Sequence, residues 1–218
     1  MTEALAAGVG VEVLEQFESE AQQRRAGILG MWSWLLTELL LFAGLFLIAV
    51  VLRVQYPDSV HQAVAHLKFW IGATNTAILI VSSLTMSTAI ELSRLGHQRL
   101  MVRAMLATVA LGTAFILLKS YEYYVDYVEH MTPFLNRPFE LADDRPATLF
   151  VNLYWVTTAL HAFHLITGVT ILVIMALQAR AEGYLRRHQN RIEIYGLYWH
   201  FIDLIWIMVF PILYVIGR

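Results

Sequence analysis

Apolar residues dominate five stretches of this chain, with shorter polar stretches between them. The first runs from Leu29 to Leu52 and holds one carboxylate, Glu38, inside it. At about 1.5 Å rise per residue, roughly 20 apolar residues cross the ~30 Å hydrocarbon core of a bilayer. The same pattern predicts further spans at 67–90, 101–125, 148–179 and 194–217, after a polar arm over 1–28. The expected fold is all-α: a polytopic membrane protein whose five transmembrane helices form one domain, 29–218. Tyr56-Pro57-Asp58 reads as the start of a short polar loop. Pro133, Pro138 and Pro146 mark 131–145 as the longest, irregular connection, an acidic candidate for contact with another chain.

Composition agrees with the pattern. Hydrophobic residues make up 58% and charged residues 15%, against about 25% charged in soluble domains. A net charge of −2 gives nucleic acid no basic surface. With no cysteine, disulfides, thiolate metal sites, iron–sulfur clusters and cysteine nucleophiles are excluded. The acidic start, with Glu3, Glu12, Glu15, Glu18 and Glu20, does not read as a cleaved signal peptide, so the first span is expected to serve for targeting.

Charge in the loops sets the expected orientation. Arg24, Arg25, Arg94, Arg99, Arg103, Arg180, Arg186, Arg187 and Arg191 fall on the N-terminal side. Arg53, Lys68, Lys119, Arg137, Arg145 and Arg218 fall on the other. Basic loops stay inside, so the N-terminus is expected in the cytoplasm and the C-terminus outside. The segment Lys119–His130 reads as interfacial, with Glu122 solvated or ion-paired at the boundary.

Candidate chemistry lies within the spans. Glu38, Asn75, His161, His164, His200 and Asp203 are polar groups at membrane depth, where an ionisable side chain costs several kcal/mol and needs a partner. Three readings compete. His161 and His164 share a helix face, and with His200 they are candidates for a metal or haem site. A lone buried Glu is also a candidate ion-carrier site, although five helices without a repeat fit transporters poorly. The third reading is structural: the groups hydrogen-bond one another across helices, with Glu38 on His164 or His161, Asn75 as interhelical glue, and His200 on Asp203 three residues along.

Several motifs are collinear with a known family. Tyr198-Trp199-His200-Phe201-Ile202-Asp203-Leu204-Ile205-Trp206 is similar to the Trp-His-Phe-x-Asp-x-x-Trp signature in the last helix of subunit III of the haem–copper terminal oxidases. Thr37-Glu38 through Phe42 resembles its Ser/Thr-Glu-x-x-x-Phe stretch. His161 through Gly168 resembles its His-Gly-x-His-x-x-x-Gly motif, with Ala162 in place of the first Gly. Asn75-Thr76, Ser82 through Met86 and Tyr121-Glu122-Tyr123 also fit.

The resemblance is to the family's short five-helix form, and it implies a definite role. Such a subunit carries no redox cofactor or metal of its own. It packs beside subunit I, which holds the haems and copper, and works in a complex whose subunit II receives electrons from cytochrome c or quinol. It binds phospholipid in a cleft that the long form closes with two further helices. The whole complex reduces oxygen to water and pumps protons in aerobic respiration, here in a bacterial cytoplasmic membrane. Glu38 falls on the family's carbodiimide-reactive carboxyl, which supports the oxidase against turnover inactivation and assists proton uptake. Trp199, Trp206 and Arg191 are expected at lipid or partner contacts. The alternatives are an accessory subunit of a nitric oxide reductase-type complex, a free-standing membrane cytochrome, or an ion carrier.

Overall fold

Ser19 starts the first helix. Its backbone is extended, and its Oγ accepts from the Gln22 N–H at 3.2 Å, capping α1 (Glu20–Gln55). The computed structural model describes residues 16–132, 141, 143–181 and 184–216. The N-terminal arm before residue 16 and most of the long 131–145 connection therefore lie outside the described residues. The polar stretch 20–28, expected as a solvated arm or a surface helix, is helical and opens α1.

After α1 come α2 (Pro57–His66), α3 (Phe69–Arg94), α4 (Gln98–Val128), α5 (Arg145–Gln178) and α6 (Tyr184–Phe210), closed by a wide π-helical turn over Pro211–Val215. Among the described residues, five helices are long and apolar enough to cross a membrane. The sixth, α2, stands where a loop was expected. Pro57 ends α1 but also suits the first turn of a new helix, where its missing N–H costs nothing. Val60, Ala63 and Val64, spaced three and four apart, give α2 one buried face. Gly96, at φ +78°, makes the tight turn between α3 and α4. Asp144 caps α5 by accepting from the Ala147 N–H at 3.0 Å.

Helix α6 is central. Half of its membrane window is buried inside the bundle, against a third or less for the other spans. Its Trp199 is fully enclosed, between two glycines. A Cβ on Gly112 of α4 would lie 2.9 Å from the Trp199 ring, and one on Gly168 of α5 would lie 3.3 Å from it. In lipid the hydrophobic effect does not drive helices together, so such close fits and interhelical hydrogen bonds must. Trp199 Nε1 donates to Ser82 Oγ at 3.3 Å and Trp206 Nε1 to Thr76 Oγ1 at 3.1 Å, tying α6 to α3. Tyr195 and Tyr198 donate to the carbonyls of Gly168 and His164 at 2.6 and 2.8 Å, tying α6 to α5.

Candidate functional site

Glu38 lies halfway along the first span, which runs Ala21–Gln55. Its Oε2 comes within 3.2 Å of His164 Nε2, and both side chains are largely buried. The contact is close without being a well-formed hydrogen bond. The other ring nitrogen, Nδ1, lies 2.8 Å from the Leu160 carbonyl. A carbonyl oxygen only accepts, so Nδ1 carries a proton and Nε2 is the atom left for Glu38. One further proton between Nε2 and Oε2 joins the pair; without it, lone pairs would face each other. Phe42 and Trp34 pack around the imidazole, with ring centroids at 5.9 and 6.2 Å.

The three histidines weighed as a metal set face three different places. His164 meets Glu38. His161 is buried against Phe115 and Trp206, at 5.6 and 5.0 Å, and neither of its nitrogens has a hydrogen-bond partner among the described residues. His200 turns to α3, with Nδ1 2.8 Å from Ser83 Oγ and Nε2 3.3 Å from Ser87 Oγ. The expected His200–Asp203 pair is thus replaced by serine contacts. Asp203 is buried near Ser83, yet neither of its carboxylate oxygens makes a well-formed hydrogen bond. Asn75 is fully buried, and its amide likewise has no hydrogen-bond partner among the described residues. Among those residues, no three His, Asp or Glu side chains converge as a metal site.

The densest polar network is one the sequence reading placed at the membrane surface. Lys119 and Glu122 are almost wholly buried, and their side chains pair at 3.1 Å. Lys119 Nζ also donates to the hydroxyls of Tyr154 and Tyr214, at 2.9 and 2.6 Å. Both tyrosines donate in turn to Glu122 Oε1, at 3.0 and 2.8 Å. The ammonium thus uses all three donors, and the carboxylate is held at both oxygens. Asp126, one turn on, lies 3.3 Å from the same Tyr154 hydroxyl. The rings of Tyr123, Tyr154, Trp206 and Tyr214 surround the cation at 4.7–5.7 Å. Lys119, counted above with the outer loops, therefore belongs to the interior.

Trp199 and Trp206, expected at lipid or partner contacts, are corrected in the same way. Both are fully buried and hold α6 to α3. Their indole N–H groups find hydroxyls inside the bundle, and that fixes them there. Arg191 is exposed and lines an apolar groove of about 510 Å³ with Met31, Trp34, Ile171, Met175 and Tyr198. A second apolar groove of about 310 Å³ lies between α1 and α5, between Leu45, Ile48, Leu149 and Val156.

Fold and site together define a class: a multi-pass helical membrane protein whose polar side chains mainly bind one helix to the next. The family model for cytochrome c oxidase subunit III matches residues 18–218, and the chain belongs to that family. "Cytochrome c oxidase subunit 3" of Alkalihalophilus pseudofirmus is 28% identical over 192 residues, covering 87% of this chain and 86% of that one. "Probable quinol oxidase subunit 3" of Staphylococcus haemolyticus is 26% identical over 202 residues, covering 92% and 94%. "Cytochrome c oxidase subunit 3" of the animal Paracentrotus lividus is 26% identical over 146 residues, covering 67% of this chain but only 50% of its own length. The family is subunit III of the haem–copper terminal oxidases, so the chain is a respiratory-chain membrane subunit that belongs with other oxidase subunits.

Proposed function

We propose that this chain is the non-catalytic subunit III of a proton-pumping oxidase, steadying subunit I, holding phospholipid and supporting proton uptake through Glu38. It lies in a bacterial cytoplasmic membrane with its N-terminus inside. Arg24, Arg25, Arg94, Arg99, Arg103, Arg180 and Arg191 support that orientation, since all stand at the N-terminal end of the bundle.

One observation carries the reading. At the middle of the first span, Glu38 has two titratable neighbours, His164 and Tyr198, and its contact with His164 is one that a shared proton completes. A carboxyl and an imidazole that share a proton need no other partner in hydrocarbon. Trp34 and Tyr198, which pack on or bond to His164, also line the larger groove. That groove suits a phospholipid: Arg191, at the start of the α6 span, offers a cation for the phosphate, and the apolar walls suit an acyl chain.

The test is Glu38→Ala in the intact complex. Haem content should stay normal while activity decays after fewer turnovers. Loss of haem, or an unchanged working life, would sink the reading. Arg191→Ala should lower the phospholipid that co-purifies with the complex, measured by mass spectrometry of extracted lipid.

A further inference from the structure

The hydroxyls of α3 divide into two sets. Thr74, Thr76, Ser82, Thr85, Thr88 and Ser93 each return a proton to a carbonyl about one turn back on their own helix. Ser83 and Ser87 instead turn to His200 of α6. Ser83 and His200 lie near the middle of their spans, Phe69–Arg94 and Asn190–Val215, and Ser87 lies one turn nearer the Arg94 end. Ser87 is exposed on the outside of the bundle, and Ser83 and His200 are half-buried. Behind them stands the buried carboxylate of Asp203. A polar seam therefore opens on the outer surface of the bundle at mid-bilayer depth.

Hydrocarbon supplies no hydrogen-bond partner at that depth, and polar side chains there face protein or enclosed water. The Ser87–His200 contact, at 3.3 Å, is long enough to leave both groups short of a good partner. Exposed apolar residues flank the seam on both helices: Ile80 and Leu84 on α3, Leu204 and Ile207 on α6. Polar contact at the centre with aliphatic packing on either side is what a neighbouring helix needs in a membrane. A lipid fits the opposite arrangement, seen in the Arg191 groove, where the charge stands at the end of the span and the depth is apolar.

We propose that the α3–α6 seam is the docking surface for a membrane-spanning helix of another oxidase subunit. That helix presents a hydrogen-bonding side chain to the Ser87 hydroxyl and the Nε2 edge of His200, and packs aliphatic residues on Leu84 and Leu204. The proposal rests on the reading that this chain works within an oxidase complex.

The chain's lack of cysteine makes the test clean. Leu84→Cys and Leu204→Cys each place one thiol on the seam, and Leu47→Cys places one on an exposed α1 position as control. Each variant, assembled in native membranes, is labelled with a thiol-reactive benzophenone and irradiated, and its products are identified by mass spectrometry. The seam positions should cross-link to another oxidase polypeptide with a yield several-fold above that of the control. Adducts with phospholipid alone, or with a second copy of this chain, would overturn the proposal. Independently, His200→Ala should lose this chain from the complex during mild detergent purification, and His200→Gln should retain it; a chain held equally well by all three forms would also overturn it. If the unaltered chain fails to co-purify with a haem- and copper-containing subunit, the proposed function fails instead, a result separable from a failure of the seam.

Discussion

Lys119 shows how much a single side chain can hide from a linear reading. Its neighbours in the chain, Tyr121, Tyr123, Tyr124 and Asp126, look like an interfacial belt. Its partners in space, Tyr154 and Tyr214, come from two other helices. The signal that was available is spacing: Lys119, Glu122 and Asp126 stand three and four apart, on one face of α4. The pair makes a direct prediction. Lys119→Met leaves the buried carboxylate of Glu122 without its counter-ion and should cost about 3–5 kcal/mol; Glu122→Gln, which leaves Asp126 near the ammonium, should cost less, and the double variant should recover most of the Lys119→Met loss. Thermal unfolding of the purified protein in detergent measures both. Equal loss in the Lys119→Met and double variants would refute the coupling. Glu38 was more legible, because one carboxylate within an apolar run of that length has to find a partner. Sequence left the choice open between His161 and His164, and the Leu160 carbonyl orients the one that Glu38 meets.

At the scale of the element, hydrophobic length revealed the five spans, and what modified them escaped. Proline was read as a break at Pro57, where it also begins α2. Pro211 has no N–H to offer the Ile207 carbonyl one turn back. The helix widens into a π turn there, and Arg53 of α1 donates to the Ile212 carbonyl at 2.8 Å. Arg53→Met should therefore destabilise the end of α6 by about 1–3 kcal/mol, the loss of a hydrogen bond to a charged donor. Faster amide exchange confined to the last turns of α6 would show it. The junction of α4, α5 and α6 is less forgiving. A side chain at Gly112 would meet Val169 at 2.8 Å and Trp199 at 2.9 Å. Gly112→Val should cost at least about 1–3 kcal/mol by overpacking, seen as a lower melting temperature and a shifted Trp fluorescence.

For the whole molecule, the bundle presents two kinds of surface. One bears apolar grooves between α1, α5 and α6; the other bears the polar seam between α3 and α6. Composition announced a membrane protein, and collinear motifs announced its family, because both are properties of the chain read in order. The separation of the two surfaces was not legible. It depends on which face each helix turns outward, and hydroxyl-rich α3 shows no clear apolar side in sequence. The inward turn of Trp199 and Trp206 was hidden for the same reason.

The central position of α6 also bears on how the protein is made. Translation runs from the N-terminus, so α6 leaves the ribosome after the four spans it packs against. Until it inserts, Gly112 and Gly168 lack the Trp199 ring between them, and Lys119 lacks one of the two tyrosine hydroxyls to which it donates. The four earlier spans must wait in the membrane with the face that α6 covers still open, and the bundle locks only when α6 arrives.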